Sequence, residues 1–178
     1  GFGSEPDSDI SMATSKFPTK LNDAQLALSS IGQYDVAASP LQMAMVAAGI
    51  ANDGVLMEPY LTKSVRAANL QTVWTHKDTP MSTPMTRESA KQLQQMMVSV
   101  VNNGTGRNAR IDGVTVGGKT GTAQTSPDKP PYAWFVGWSD KPKVAVAVFV
   151  ESSNTERSEI AGGRLGAPIA RDVIEALR

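Results

Sequence analysis

The order of hydrophobic and polar residues predicts a buried helix in the first third of the chain. Ser39 and Pro40 form a helix start, because serine caps free amides and proline needs no amide hydrogen at the first helical position. Apolar residues follow at most positions up to Ile50, which predicts a helix buried on most sides. The helix is expected to end at residues 52–54, Asn-Asp-Gly, because these residues tolerate left-handed backbone.

Three more helical segments are predicted. A helical tendency covers Asn22–Ser30 within an otherwise loop-like start. Thr86 caps a longer helix that ends at residues 102–104, and Glu88 suits the positive end of its dipole. The inward face of that helix is expected to consist of Ala90, Leu93, Met96, Met97, Val100 and Val101. A last helix follows the glycines at 162, 163 and 166, with inward residues Ile169, Val173, Ile174 and Leu177.

A hairpin is predicted between the first two long helices. Its arms are Tyr60–Arg66 and Gln71–Thr75, and a linker with two prolines follows at 77–85. The single histidine, His76, ends the second arm. Because it has no second histidine or cysteine to share a metal ion with, we expect it at a solvated or edge position.

The second half of the chain predicts a sheet. Residues 114–124, Tyr132–Trp138 and Val144–Val150 are extended, and the short segment 139–143 makes the last two an antiparallel hairpin. Val144–Val150 is apolar throughout, so both faces of that strand are expected to be covered. The predicted fold class is therefore α/β (α+β), an antiparallel sheet flanked by helices.

Composition excludes several classes of protein and partner. The 178 residues suit one domain or part of a larger one. Lysine plus arginine equals aspartate plus glutamate at 17 each, so no charge excess favours a nucleic acid or an anionic membrane as partner. The chain has no cysteine, which excludes disulfides and thiolate metal sites, and no apolar run of membrane-spanning length. Because the first residue is Gly1, we expect a fragment or a processed product.

Residues 114–124, Val-Thr-Val-Gly-Gly-Lys-Thr-Gly-Thr-Ala-Gln, carry the strongest candidate chemistry. Lys119 offers an ammonium, and Thr120 and Thr122 offer hydroxyls, beside a backbone that glycine leaves open to a ligand. Residues 113–120 also match the pattern of a phosphate-binding loop. That loop requires a helix that starts at the lysine, and the glycine and prolines downstream exclude a long helix here.

Several motifs together resemble one family. Lys119-Thr120-Gly121, followed by Thr-Ala-Gln, is like the Lys-Thr-Gly element of serine penicillin-interacting enzymes. The same family is matched by Gly1–Gly3, Ser30–Ala44, Ala51–Gly54, Pro59-Tyr60, Tyr132–Gly137 and Val144–Glu151. Over residues 1–178 the chain resembles the C-terminal half of a class B penicillin-binding protein transpeptidase domain, with no second domain. It is most similar to the actinobacterial penicillin-binding protein A group.

The resemblance implies a peptidoglycan D,D-transpeptidase that moves an acyl group from D-Ala-D-Ala stem peptides through a serine acyl-enzyme and is inhibited by β-lactams. It implies that Lys119 supplies positive potential and assists proton transfer. The hydroxyls of Thr120 and Thr122 are implied to hold a terminal carboxylate, and Gly121 to leave room for the acyl group. The backbone N–H of Thr122 is implied as an oxyanion donor. No metal ion or organic cofactor is implied.

The resemblance also implies that the nucleophile is absent from the chain. In the family, Ser-x-x-Lys and Ser-x-Asn precede the Gly-Phe-Gly segment. Ser126–Lys129 and Ser152–Asn154 match these patterns only in the wrong order, and the first lies in a proline-rich stretch. We therefore expect the chain to supply the Lys-Thr-Gly wall only and to be inactive alone, with the upstream half of the domain missing.

The implied partners are peptidoglycan stem peptides, β-lactams, and the upstream half of the same domain or a second copy of the chain. The last is expected because Val144–Val150 alone would expose an apolar face. The implied location is the extracytoplasmic side of the cell membrane, held by an upstream anchor. Three alternatives stay open: a β-lactam sensor, a class D β-lactamase-like domain, and a non-catalytic cell-wall scaffold.

Overall fold

The computed structural model describes residues 1–4, 12–124, 126 and 128–178. The helices are α1 Asp23–Ser29, α2 Pro40–Ala51, α3 Arg87–Asn103 and α4 Ala167–Ala176. The strands are β1 Leu56–Met57, β2 Ser64–Arg66, β3 Thr72–Thr75, β4 Pro80–Ser82, β5 Val116–Ala123, β6 Tyr132–Asp140 and β7 Lys143–Val150. Short 3₁₀ turns at Arg107–Ala109 and Arg157–Glu159 and a π-helical turn at Gly162–Gly166 complete the elements.

The main sheet is antiparallel with the order β5-β6-β7, which confirms the predicted fold class. In its register Lys119 lies opposite Val136, and Thr120 lies opposite Phe135. Because successive side chains point to opposite faces, Lys119 and Gly121 share one face and Thr120 and Thr122 share the other. The side chain of Lys119 and those of the two threonines therefore project from opposite faces of β5.

One face of the sheet is covered by α4 and the end of α3. Phe135 is fully buried here among Val101, Val146, Val148 and Ile174. The stripe of α4 that meets the sheet is Ala167, Ala170 and Ile174. The expectation that Ile169, Val173 and Leu177 point inward is wrong, since all three are exposed. The two small alanines let the helix approach the sheet closely, and Ile174 is the large residue of the stripe that is buried.

The other face of the sheet is covered by α2. Trp138 packs with Ile50 of α2 and Met97 of α3 in a second buried cluster. With helices on both sides, every residue of Val144–Val150 is at least half-buried. The prediction that both faces of this strand are covered is confirmed, and the expectation that it exposes an apolar face is wrong.

The start and end of α2 follow their sequence signals. The Ser39 hydroxyl accepts a hydrogen bond from the Gln42 amide at 3.1 Å, with Pro40 in the first turn. After Ala51 the chain turns with positive φ at Asp53 and Gly54 (53° and 93°), the left-handed conformation that Asn-Asp-Gly predicts.

A polar contact joins the end of α2 to the start of α3. The side-chain Nε2 of Gln94 donates to the Ile50 carbonyl oxygen at 2.7 Å, and the Asp53 carboxylate pairs with Arg87 at 3.0 Å and Lys91 at 3.3 Å. Desolvation acts to raise the pKa of Asp53. Hydrogen bonds from Lys91 and Gln94, together with the charges of Lys91 and Arg87, outweigh it and hold that pKa below its ordinary value. The carboxylate therefore stays charged, and the two helices stay joined, into more acidic solution.

Two other expectations about the first half need correction. The segment 77–85 is more than a linker, since β4 within it pairs with β1. Met96 of α3 is 56% exposed, whereas Ala90, Met97 and Val101 form the buried face. The predicted hairpin is confirmed in a shorter form, with β2 pairing antiparallel to β3.

The glycine pair before Lys119 is a packing feature of the sheet. A Cβ on Gly117 would lie 2.5 Å from Cε2 of Trp138, and one on Gly118 would lie 2.8 Å from Cε2 of Phe135. The two aromatic rings of β6 thus cover the two glycines from opposite faces of the sheet. Gly117 and Gly118 are buried by this contact, so they are not the open backbone that the sequence suggested.

We expect Gly118→Ala and Gly49→Ala to change stability in opposite directions. The first forces the Phe135 ring out of a filled core and should lower the free energy of unfolding by about 1–3 kcal/mol. The second adds a methyl in α2 that meets Leu56 Cδ1 at an ordinary 3.6 Å, so reduced backbone entropy should raise it by about 0.5–1 kcal/mol. Urea unfolding of both variants measures the difference, and equal stability would contradict the packing explanation.

Candidate active site

A cleft of about 500 Å³ runs along β5. Residues 119–123 form one wall, and Trp134 and Val136 of β6 contribute side chains to it. The opposite wall is the loop between α1 and α2 with the first turn of α2, including Ile31 and Met43. All four predicted site residues, Lys119, Thr120, Gly121 and Thr122, line this cleft.

Within the described part of the chain, β5 pairs with β6 only, so its other edge is free. A free edge presents the N–H and C=O groups of alternate residues to whatever lies beside it. The ammonium of Lys119 lies along this wall and donates to the Thr120 carbonyl oxygen at 2.7 Å. The cleft therefore offers one positive charge beside unpaired backbone groups.

The two threonines differ in how they are held. Oγ1 of Thr120 lies 2.8 Å from Oγ1 of Thr105, and either hydroxyl can be the donor. Thr122 is exposed, and Thr120 is half-buried. Thr120 thus has a fixed side-chain partner behind the strand, whereas the Thr122 side chain is open to solvent.

A glycine-rich turn packs tightly against β5 behind the cleft. A Cβ on Gly162 would lie 2.8 Å from the Gly121 carbonyl oxygen and would overlap the Trp134 carbonyl oxygen. A Cβ on Gly163 would overlap the Thr105 carbonyl oxygen. Both glycines are therefore required for the turn to contact β5. Sequence reasoning missed this support, although the Gly-Gly pair after β7 was a signal that two backbones approach closely.

The apolar side of the cleft was also missed. Ile31 is 73% exposed and lies on the rim, where it faces the β5 wall with Val36 and Met43. Tyr34 in the same loop is exposed and has a positive φ of 64°. Nothing in the ten-residue loop 30–39 signals its position opposite β5, since that position depends on the packing of α2.

The competing motifs fall outside the cleft wall. Ser126 precedes a turn in which the Lys129 amide donates to its carbonyl at 3.3 Å, and Pro127 lies outside the described residues. Ser152–Asn154 follows β7 as an irregular segment. Lys119 is in the middle of β5, so the helix that a phosphate-binding loop requires does not begin there.

His76 is packed rather than solvated, which corrects the first part of the expectation, and it directly follows β3 of the two-stranded β2-β3 sheet. Its ring stacks on Tyr60 with centroids 3.6 Å apart, and Trp74 contacts its edge. Its side chain is 15% exposed, with Nε2 4.0 Å from an Asp78 carboxylate oxygen. Stacking between aromatic rings, which periodicity does not reveal, places it there.

Other features of the described residues add no competing site. A larger cavity of about 660 Å³ lies between α2 and the β1 region, lined mainly by apolar side chains such as Leu41, Met45 and Leu56. Among those residues, no cluster of three or more histidine, aspartate or glutamate side chains has the arrangement of a metal site. No helix in the described ranges has the length and apolar character to cross a membrane.

The arrangement is suited to binding an extended peptide that ends in a carboxylate. Lys119 on one face of β5 and the threonine hydroxyls on the other can pair with a carboxylate placed at the free edge of the strand, and that edge can hydrogen-bond the peptide backbone. No serine or cysteine belongs to the described lining of the cleft. The described residues can thus position a carbonyl for attack, but they place no serine or cysteine nucleophile beside it.

Comparisons with known sequences agree with this geometry. The family profile described as "Penicillin binding protein transpeptidase domain" matches residues 1–175. The chain is 42% identical over 158 residues to "Peptidoglycan D,D-transpeptidase PbpA" of Mycolicibacterium smegmatis, which covers 86% of the chain and 32% of that protein. It is 29% identical over 161 residues to "Stage V sporulation protein D" of Bacillus subtilis, covering 87% and 25%. The chain spans about a third of the length of the first of these relatives.

Solved structures give the same result. The crystal structure of PBPA from Mycobacterium tuberculosis superposes with a TM-score of 0.89 at 37% identity, covering all of this chain and 44% of that one. The penicillin G acyl-enzyme complex of the same protein superposes with a TM-score of 0.87 at 37% identity, covering 100% and 41%. The predicted resemblance and fold are confirmed.

Proposed function

The chain belongs to the penicillin-binding protein transpeptidase domain family, and on this premise we propose that it is part of a serine D,D-transpeptidase that cross-links peptidoglycan. The observation that carries the proposal is the free edge of β5, where Lys119, Thr120, Gly121 and Thr122 line one cleft. Similarity to a penicillin G acyl-enzyme complex supports the same chemistry.

In this proposal the cleft binds the D-Ala-D-Ala end of a stem peptide as an additional strand beside β5. Lys119 attracts the terminal carboxylate and assists proton transfer, and the hydroxyls of Thr120 and Thr122 bind the carboxylate oxygens. Gly121 lets the acyl group lie against the strand, because it carries no side chain. A β-lactam carries a comparable carboxylate beside a reactive carbonyl, so it occupies the same place.

The backbone N–H of Thr122 is proposed as one oxyanion donor. The serine hydroxyl adds to the scissile carbonyl and loses its proton to a neighbouring base, and the resulting oxyanion accepts a hydrogen bond from this N–H. Collapse expels D-alanine, which takes up a proton, and leaves the acyl-enzyme. An amine of a second stem peptide then attacks the ester and releases the serine. Such a donor contributes about 3–4 kcal/mol to the stabilisation of the transition state.

The nucleophilic serine is proposed to lie in a part of the protein outside residues 1–178. Ile31 on the cleft wall opposite β5 is 73% exposed, which leaves room for an additional element that carries the serine. We propose that this upstream part completes the transpeptidase domain, and that an anchor there holds the domain on the extracytoplasmic side of the cell membrane.

We expect the chain alone to form no covalent adduct with penicillin G. Intact mass spectrometry of residues 1–178 after incubation should show the unmodified mass. The complete protein, treated in parallel, should gain the mass of one penicillin. An adduct on the chain alone, on Ser126 or any other serine, would contradict the location of the nucleophile. Absence of an adduct on the complete protein would favour a non-catalytic scaffold.

We expect Lys119→Ala in the complete protein to slow acylation by penicillin G by about a hundred-fold or more, because the positive charge beside the carboxylate is lost. Lys63→Ala, which removes an exposed lysine near the hairpin, is the matched control and should react at the rate of the unmodified protein. Second-order acylation rates from mass spectrometry measure both. Equal rates for the two variants would exclude a role for Lys119.

A further inference from the structure

We propose that Thr105 is a positioning residue for carboxylate binding: its hydroxyl donates to Oγ1 of Thr120 and so directs the Thr120 proton toward the ligand carboxylate. The inference rests on the proposed function of the cleft. It concerns a residue 15 positions upstream of Thr120, outside the Lys-Thr-Gly element.

The position of Thr105 is fixed by the way α3 ends. The Val100 carbonyl oxygen accepts hydrogen bonds from the amides of both Gly104 and Gly106, each at 3.0 Å. Thr105 lies between these two amides, so hydrogen bonds on both sides restrain its backbone. Helix α3 is itself anchored by the buried side chain of Val101. The hydroxyl of Thr105 is thus presented from a rigid support.

A second contact holds Thr105 from the side of the glycine-rich turn. A Cβ on Gly163 would overlap the Thr105 carbonyl oxygen, so only glycine fits at this position. The same Cβ would lie 3.5 Å from Cγ2 of Thr120, which shows that the Thr120 side chain also contacts this turn. The side-chain Nδ2 of Asn108 donates to the Gly163 carbonyl oxygen at 2.8 Å and connects the turn to this region. The backbones of Thr105 and Gly163 therefore support the Thr120 side chain from behind the strand.

The number of hydroxyl protons decides which threonine donates this hydrogen bond when an anion is bound. A threonine hydroxyl has one proton to donate and two lone pairs to accept with. At 2.8 Å the two hydroxyls share one hydrogen bond, so only one of them keeps a free proton. If Thr105 donates, the Thr120 proton remains free to bind an anion, and the chain of two hydroxyls strengthens that bond. A carboxylate has no proton to give, so its arrival selects this arrangement.

Thr105 is exposed, so losing its hydroxyl should affect binding more than folding. A hydroxyl near the surface has water as an alternative partner, and Thr→Val keeps the shape of the side chain. The proposed role of Thr105 is to orient the Thr120 hydroxyl. Acylation rates of ligands with and without a carboxylate separate this effect from an effect on protein stability.

The test uses the complete protein with Thr105→Val, Thr105→Ser and, as a matched control, Thr72→Val on the exposed strand β3. Penicillin G and its methyl ester are the two probes, because the ester has the same reactive ring without the negative charge. Second-order acylation rates come from intact mass spectrometry, and urea unfolding checks that each variant is folded.

We expect Thr105→Val to slow acylation by penicillin G by about ten-fold, the size of one hydrogen bond to a charged group, and to leave the ester rate within about two-fold. Thr105→Ser and Thr72→Val should match the unmodified protein. In a Thr120→Val background, Thr105→Val should have no further effect, since it acts through Thr120.

Unchanged penicillin G acylation in Thr105→Val would overturn the inference while leaving the proposed function intact. An equal slowing for both probes would also overturn it, because that result indicates a general structural role. If the unmodified complete protein forms no adduct with penicillin G, the proposed function fails and this inference fails with it.

Discussion

The structure depends on holding β5 firmly from one side only. Within the described residues the strand has a single neighbour, β6, and it lacks the second ladder of hydrogen bonds that stabilises a central strand. Close packing compensates for this: Trp138 and Phe135 cover Gly117 and Gly118, and the turn at Gly162–Gly166 contacts the strand near Gly121. No side chain larger than hydrogen permits these contacts. The rigidity of the binding edge therefore depends on glycines that carry no chemistry themselves.

Local signals in the sequence predicted most of the fold. Ser39, Pro40 and Thr86 act within one helical turn, so the starts of α2 and α3 are evident without knowing their surroundings. Errors arose where burial depends on distant elements. Met96 and Ile169 have a spacing compatible with an inward position, but both are exposed, because the packing of α3 and α4 on the sheet buries a stripe of each helix that does not include them. The pairing of β4 with β1 likewise depends on residues far apart in the chain.

In the candidate site, too, the features set by a short run of residues could be predicted, and those set by distant residues could not. Residues 119–122 were found because an ammonium, hydroxyls and glycine in one short run have recognisable chemistry. The residues that support and face them were not, since Thr105, Gly163 and Ile31 lie 14 or more positions away from Lys119. A glycine pair in the sequence indicates only that another segment of the chain packs closely against it. The structure is needed to identify that segment. The supporting contacts of a binding edge are thus the part of a site that motifs reveal least.

A free strand edge creates a conflict between binding and aggregation, and Lys119 bears on both. An unpaired edge can add a strand from any neighbouring protein, and a lysine on the edge opposes this because pairing would desolvate its charge. Its ammonium lies along β5, against the Thr120 carbonyl oxygen. In the proposed function the ligand strand ends in a carboxylate, which compensates the same charge. The structural and functional interpretations of Lys119 are therefore compatible: the charge that disfavours an ordinary strand favours a short peptide with a free carboxyl end.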